Sequence, residues 1–211
     1  SGFIVPGGFS YQDRIRAGVI ASKLDILNVL KEQAIEYNKP VLGICNGAQI
    51  LVESGLLNLT NHHSSLDAII DTNYVDGYHT HFLSDLVFIQ PFNPSHCIFT
   101  NSFKPTDIIP IQLCHGEGRF ILATEPKSGV RYCSIDGHCS DAFPITPNGS
   151  PKGVAGISND AGNVFAIMPH PERSINHQRL PFSIRKYVEK NNLTITNWAP
   201  LFNPFKEVSY A

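Results

Sequence analysis

The apolar positions near the start of the chain alternate between short continuous runs and helical spacing. An apolar run at 3–5 is followed at once by a proline and two glycines, which indicates a buried strand that ends in a tight turn. Leucine and alanine recur at helical spacing over 24–34, and a second apolar run at 41–44 predicts another buried strand. A further helical pattern occupies 48–57. This strand–helix–strand–helix order is typical of a parallel α/β unit.

The rest of the chain is dominated by short β-rich runs separated by proline and asparagine. The predicted strands are 86–90, 97–100, 108–113, 130–134, 153–158 and 163–168. A hairpin turn is predicted at 159–162 and a last helix at 176–192, before an irregular end. We therefore expect an α/β fold with a mostly parallel sheet, flanked by helices and extended by additional strands. One domain is expected over 1–211, and because the chain begins inside a strand, we expect it to be incomplete at its N-terminus.

Composition limits the classes of partner. Hydrophobic residues make up 42% of the 211 residues and charged residues 16%, which is typical of a globular protein with a sizeable core. The 16 basic and 18 acidic residues leave a net charge of -2 without a basic cluster, so neither nucleic acid nor a membrane is an expected partner. The 5 cysteines are odd in number and sparse, which argues against a disulfide framework and favours a cytoplasmic location.

Cys45 is the first candidate for covalent chemistry. It lies between Gly43 and Gly47, directly after a predicted strand and before a predicted helix. A sharp turn of this kind lifts a nucleophile above a sheet, and the dipole of the following helix favours the thiolate. The alternative is a buried structural cysteine, which this motif alone does not exclude.

His170 and Glu172 form a second candidate, directly after another predicted strand. Pro171 favours extended backbone at His170, and residues two apart in extended chain point to the same side. The carboxylate is therefore able to orient the imidazole, which gives the nucleophile–base–orienter arrangement that acyl transfer requires. A loop histidine beside an exposed charge remains the alternative.

The glycine turn after the first strand is a candidate oxyanion hole. Without a Cβ, its backbone is able to approach a substrate closely. The N–H groups of Gly8 and Asn46 are the predicted donors, and each such donor commonly contributes about 3 kcal/mol of transition-state stabilisation. An ordinary loop turn is the alternative.

Four motifs in order resemble one family. They are PGGFSY at 6–11, GICNG at 43–47, HGEG at 115–118 and MPHPER at 168–173. This set is similar to the PurQ-type glutaminase subunit of phosphoribosylformylglycinamidine synthase, a class I glutamine amidotransferase with a flavodoxin-like fold. The resemblance implies the triad Cys45, His170 and Glu172, with oxyanion donors at Gly8 and Asn46. It also implies substrate contacts at Gly7, Gln49, His115, Gly116 and Glu117.

The resemblance further implies the reaction. Glutamine would be hydrolysed to glutamate and ammonia through a Cys45 thioester, in de novo purine biosynthesis. The ammonia would pass to a separate PurL-type synthetase subunit, which uses ATP and Mg²⁺ to convert formylglycinamide ribonucleotide to formylglycinamidine ribonucleotide. A small PurS-type subunit would help assembly. The chain has no Walker-type phosphate loop, so nucleotide chemistry is expected in the partner and no cofactor is expected in this subunit. His79 and His81 are a candidate pair of metal ligands, but no further Cys or His set lies at a recognisable spacing, so no metal is expected.

Some features depart from the family or stay open. Gln12 stands where the family has glycine, the family's first strand and helix would precede Ser1, and the segment after Arg173 has no implied role. A glutaminase for another synthetase, a related cysteine hydrolase and a non-catalytic subunit remain alternatives. Outside the motifs, Cys97, Cys114 and Cys133 lie in apolar runs and are expected in the core. Cys139 is expected to be an exposed thiol without function.

Overall fold

The computed structural model describes residues 2–58, 67–174 and 180–206. Its helices are α1 (Ile26–Ile35), α2 (Asn46–Glu53) and α3 (Phe182–Lys190). Its strands are β1 (Phe3–Val5), β2 (Val41–Ile44), β3 (Ala68–Thr72), β4 (Tyr74–Val75), β5 (Tyr78–His79), β6 (Leu83–Phe92), β7 (Ile109–His115), β8 (Glu117–Leu122), β9 (Gly129–Cys133), β10 (Val154–Ser158) and β11 (Val164–Ile167). No helix among the described residues has both the length and the apolar character needed to cross a membrane.

Seven of these strands form one sheet in the order β1-β2-β11-β10-β9-β6-β7. The pairs β1/β2 and β2/β11 are parallel, as the first α/β unit predicts. The other four pairings are antiparallel, so the parallel part is smaller than expected and the additional strands continue the same sheet. Strands β10 and β11 are joined by the predicted turn at 159–162, and a connection this short permits only an antiparallel neighbour.

Three local predictions differ from the structure. The apolar run 97–100 is a turn and not a strand, because the N–H groups of Thr100 and Asn101 both donate to the carbonyl of Cys97. Strands β3 and β8 were not predicted, although they pair with each other over their whole length. Of the predicted helix 176–192, only Phe182–Lys190 forms α3; residues 180–181 and 191–192 are not helical, and residues 176–179 lie outside the described residues.

The core lies around the parallel part of the sheet and its neighbours. Helix α2 packs against β2, β11 and β3. The fully buried aromatic side chains are Trp198, Tyr132, Phe99, Phe120 and Phe165. Trp198 belongs to the segment whose role the sequence left open, and its ring meets that of Phe103 edge-on with centroids 5.5 Å apart. The described part of the C-terminal segment therefore folds back onto the core, and it contains the 3-10 helix Ala199–Phe205.

Candidate active site

Cys45 occupies a sharp turn between β2 and α2. Its backbone has φ 51° and ψ -110°, which costs a non-glycine residue about 1–3 kcal/mol. The flanking glycines permit the turn: a Cβ at Gly43 would lie 2.6 Å from Leu51 Cδ1, and one at Gly47 would overlap the carbonyl oxygen of Val5. The thiol is therefore held at the carboxyl end of β2 and at the N-terminus of α2.

His170 reaches the same place from the end of β11. Its backbone N–H donates to the carbonyl of Gln112 on β7 over 2.7 Å, and its Nδ1 lies 2.6 Å from Glu172 Oε1. The ring is buried, and Nε2 has no hydrogen-bond partner among the described residues. A Cβ at Gly7 would lie 3.0 Å from His170 Cε1 and 3.5 Å from Cys45 Cβ. Imidazole and thiol thus lie against the same glycine, which explains why this position has no side chain.

The charges of these groups support one another. Burial alone would lower the pKa of His170, but its interactions with Cys45 and Glu172 together raise it to about 9. Burial would raise the pKa of Glu172, but the charged imidazolium outweighs it and lowers the pKa. The histidine charge therefore stabilises the fold most fully below pH 6.5, its ordinary value, and this contribution is lost as the pH rises through about 9.

A cavity of about 710 Å³ opens above the thiol. Nine of the ten predicted site residues line it: Gly7, Gly8, Cys45, Gln49, His115, Gly116, Glu117, His170 and Glu172. The tenth, Asn46, lies behind the wall with a buried side chain. The structure thus brings together motifs that are more than 150 residues apart in sequence.

A chain of hydrogen bonds joins the segment after the glycine turn to the first turn of α2 and to β8. Asn46 Oδ1 accepts from the backbone N–H of Ser10 over 3.1 Å, and Asn46 Nδ2 donates to Gln49 Oε1 over 2.8 Å. Gln49 Nε2 in turn donates to the carbonyl of Glu117 over 2.8 Å. Both ends of the Gln49 amide are therefore used within the protein, and a substrate contact there depends on its second hydrogen or its remaining lone pair.

The segment after the glycine turn is fastened to α2 and β8. Arg16 makes two hydrogen bonds to Glu53, with Nε–Oε1 2.7 Å and Nη2–Oε2 2.8 Å. The backbone N–H of Ala17 donates to Glu117 Oε2 over 2.9 Å. At Gly18, with φ 82°, a Cβ would lie 2.7 Å from the backbone of Gln49. Two hydrogen bonds from one guanidinium fix the orientation of the Arg16 side chain as well as its distance from Glu53. The segment is therefore held in a defined position relative to α2.

Three consecutive residues between Ser10 and Arg16 adopt left-handed backbone. Tyr11, Gln12 and Asp13 have φ 54°, 58° and 51°. Left-handed backbone costs a residue with a Cβ about 1–2 kcal/mol. Gln12 therefore keeps the conformation for which glycine is suited, although it replaces the family's glycine.

Replacing Gln12 by glycine is expected to raise the free energy of unfolding by about 0.5–1 kcal/mol, because it removes left-handed strain and only an exposed side chain. Urea denaturation measures the difference. Gln33→Gly is the matched control, since Gln33 lies within α1, where glycine should cost about 1 kcal/mol. Equal losses of stability in both variants would contradict the assigned backbone.

His115 is buried beside His170 and is held neutral. Burial, reinforced by the nearby His170 charge, lowers the pKa of His115 to about 3. Neither ring nitrogen has a hydrogen-bond partner among the described residues. A Cβ at Gly118 would overlap the ring, which gives the last glycine of the HGEG motif a packing role. His115 therefore presents an uncharged, unpaired imidazole to the cavity.

Sequence reasoning missed part of the cavity wall. Phe9 and Phe82 line it with exposures of 73% and 65%, and Phe202 lines it from the C-terminal 3-10 helix. The aromatic residue after the two glycines was available as a signal within the first motif. Nothing in the local pattern around Phe202 indicates that it returns to this place, because the contact depends on tertiary packing.

Comparisons with known proteins identify the family of the chain. Residues 1–207 match the family model of the CobB/CobQ-like glutamine amidotransferase domain. The chain is similar to phosphoribosylformylglycinamidine synthase subunit PurQ of Methanothrix thermoacetophila, with 37% identity over 193 residues, 85% of this chain and 72% of that protein. It is also similar to the subunit of the same name from Chlorobium luteolum, with 38% identity over 179 residues, 81% of this chain and 70% of that protein.

A solved structure gives the same result for the fold. The chain is similar to a chain in the structure of PurLQS from Thermotoga maritima, with a TM-score of 0.66 and 31% sequence identity. The match covers 90% of this chain and 78% of that chain. Most of this chain therefore shares its architecture with that protein.

Proposed function

The chain belongs to the PurQ family of glutamine amidotransferases, and on that premise we propose that it hydrolyses glutamine at Cys45 to supply ammonia to phosphoribosylformylglycinamidine synthase. The observation that carries the proposal is the surroundings of His170. Nδ1 is hydrogen-bonded to Glu172, while the buried Nε2 is unpartnered among the described residues, on the cavity wall that also contains Cys45. A base held in this way has one tautomer and one direction for proton transfer.

In the proposed reaction, the Cys45 thiolate attacks the side-chain amide carbon of glutamine. The N–H groups of Gly8 and Asn46 stabilise the oxyanion that develops. The imidazolium of His170 donates its proton to the leaving nitrogen, and ammonia departs as the thioester forms. A water that His170 then deprotonates attacks the thioester, which releases glutamate and restores the thiolate.

Exposed apolar side chains at and near the rim of the cavity favour the proposal that another protein binds there. Phe9, Phe82 and Ile15 are large apolar residues with exposures of 73%, 65% and 90%, and the first two line the cavity. Apolar side chains at such a rim are suited to contact another protein surface. The proposed partners are a PurL-type synthetase subunit, which binds ATP and Mg²⁺, and a small PurS-type assembly subunit.

The test is glutamate release from glutamine by the purified chain, alone and with the synthetase subunits, ATP, Mg²⁺ and formylglycinamide ribonucleotide. We expect stimulation by the complete mixture of about 5- to 150-fold, the usual range for coupling between sites. Stimulation by a different synthetase only would overturn the pathway and keep the glutaminase. Absence of glutamate under every condition would overturn the glutaminase itself.

The pH profile tests the role of Glu172. Since the raised pKa of His170 is about 9, activity of the thiolate–imidazolium pair should fall as the pH rises through that value. Glu172→Gln keeps an acceptor oxygen but removes the charge that raises the pKa of His170. The alkaline limb of the kcat/KM profile should therefore shift to lower pH by about 1–3 units.

The matched control for that profile is Arg173→Gln. Arg173 Nε lies 3.7 Å from the same carboxylate, but its side chain is exposed, so its removal should move the limb far less. An alkaline limb that stays in place in Glu172→Gln would show that this carboxylate does not hold the charge of His170.

A further inference from the structure

Two thiols face each other on a tight hairpin away from the cavity lining. Cys133 is the last residue of β9, and it pairs with Cys139 in an isolated antiparallel bridge. The adjacent backbone bond runs from the N–H of Ser134 to the carbonyl of His138 over 2.9 Å. This bond makes the cysteines a non-hydrogen-bonded pair, whose Cα atoms are about 4.5 Å apart and whose side chains share one face. That separation lies within the range that a disulfide spans.

The turn between the two cysteines is held in place by its own hydrogen bonds. The N–H of Gly137 donates to the carbonyl of Ser134 over 2.9 Å, and Gly137 has φ 86°, which suits glycine. The hydroxyl of Ser134 accepts from the N–H of His138 over 3.1 Å and also contacts Asp136. Since the hairpin is closed in this way, the two thiols remain opposite each other without any need for backbone movement.

The two thiols differ in accessibility and in charge. Cys139 is exposed, whereas Cys133 is 3% exposed. A hydrogen bond from Cys133, helped by the nearby Arg131 charge, lowers the pKa of Cys139. The same interaction, together with burial, raises the pKa of Cys133. An accessible thiolate beside a protected thiol is the usual arrangement of an attacking and a resolving cysteine.

We propose that Cys133 and Cys139 form a dithiol site that hydrogen peroxide converts to an intrachain disulfide. The Cys139 thiolate attacks one peroxide oxygen, the O–O bond breaks, and Cys139 sulfenic acid and water result once a proton is taken up. The Cys133 sulfur then attacks the sulfenic sulfur, the S–O bond breaks, and the hydroxide leaves with the Cys133 proton as a second water. Two thiols thus supply the two electrons that reduce one peroxide.

Peptide mapping of the native protein under non-reducing conditions tests this site directly, and its result does not depend on glutaminase activity. Treatment with hydrogen peroxide at neutral pH should give one peptide pair linked through Cys133 and Cys139. The mapping is repeated in Cys45→Ala, which removes the proposed nucleophile from competition. The same oxidation in denaturant should be at least about tenfold slower, because the hairpin no longer holds the thiols together.

Two variants separate the roles of the cysteines. In Cys133→Ser, oxidation should stop at the sulfenic acid, so that dimedone labels Cys139. In Cys139→Ser, an exposed position where the fold should be unaffected, neither the label nor the disulfide should appear. Native wild-type protein in which Cys139 forms only sulfinic acid, or only a bond to a second chain, would overturn the proposal. Equal rates in native and denatured protein would overturn it as well.

Discussion

Replacing Cys45 by alanine is expected to reduce glutamate release by a factor on the order of 10⁴ or more. The variant leaves the cavity and the His170–Glu172 pair in place but removes the atom that forms the thioester. The measurement is kcat with the synthetase subunits and their substrates present, so that low activity of the isolated chain does not hide the loss. Cys139→Ser under reducing conditions is the matched control, because it removes another thiol outside the cavity lining and should keep full activity.

A second substitution at the same position separates chemistry from strain. Cys45→Gly should be as inactive as Cys45→Ala, yet more stable by about 1 kcal/mol, because glycine adopts φ 51° and ψ -110° without a Cβ penalty. Appreciable turnover in either variant would rule out Cys45 as the nucleophile. Equal stability of the two variants would mean that the turn stores no strain.

Gly47→Ala is expected to lower the free energy of unfolding by about 3–5 kcal/mol. The new methyl group would overlap the carbonyl oxygen of Val5 and lie 3.0 Å from that of Pro6, so the first turn of α2 and the end of β1 must separate. Both neighbours are backbone atoms that no side-chain rotation relieves. Chemical denaturation followed by circular dichroism measures the loss.

Gly8→Ala is the matched control for stability. No atom lies within 4 Å of the position that its Cβ would occupy, so its free energy of unfolding should stay within about 0.5 kcal/mol of the wild type. A Gly47→Ala variant as stable as Gly8→Ala would contradict the close approach of α2 to β1.

Local patterns predicted the elements on which the cavity is built. The apolar runs at 3–5 and 41–44 form the parallel pair β1/β2, and the run at 163–168 contains β11 beside them. Strands β2 and β11 are buried along their whole length, so they appear as continuous apolar runs that a sequence reveals. The expected burial of the run 3–5 is wrong, because β1 is the edge strand of the sheet among the described residues and Ile4 is 47% exposed. The resemblance carried by the four motifs then supplied the fold class, which the family match and the structural comparison confirm.

Other features depend on contacts that a local pattern does not contain. Strand β8 begins at Glu117, within the motif assigned to the cavity, and its partner β3 lies about 50 residues away. The run 97–100 has the apolar composition of a strand, but the hydroxyl of Thr100 and its backbone close a turn onto Pro94 and Cys97. Burial was predictable there, whereas the backbone conformation was not.

The candidate site shows the same division. The sharp turn at Cys45 was predictable, because the flanking glycines leave room for it. The contact of His170 with Glu172 was predicted from extended backbone, whereas residues 171–173 form a 3-10 helix in which the carboxylate still reaches the imidazole. The two hydrogen bonds of the Gln49 side-chain amide were not predictable, since their partners lie on strand β8 and in the first turn of α2. The roles of the individual residues in catalysis stay predictions until the variants are measured.

The position of Phe202 means that part of the cavity wall is synthesised late. The cavity is lined by Ile4 at one end of the described chain and by Phe202 at the other. Because a protein emerges from the ribosome from its N-terminus, a nascent chain contains Cys45 and His170 before it contains this part of the wall. The cavity therefore has its full lining only when synthesis of the domain has passed the 3-10 helix Ala199–Phe205.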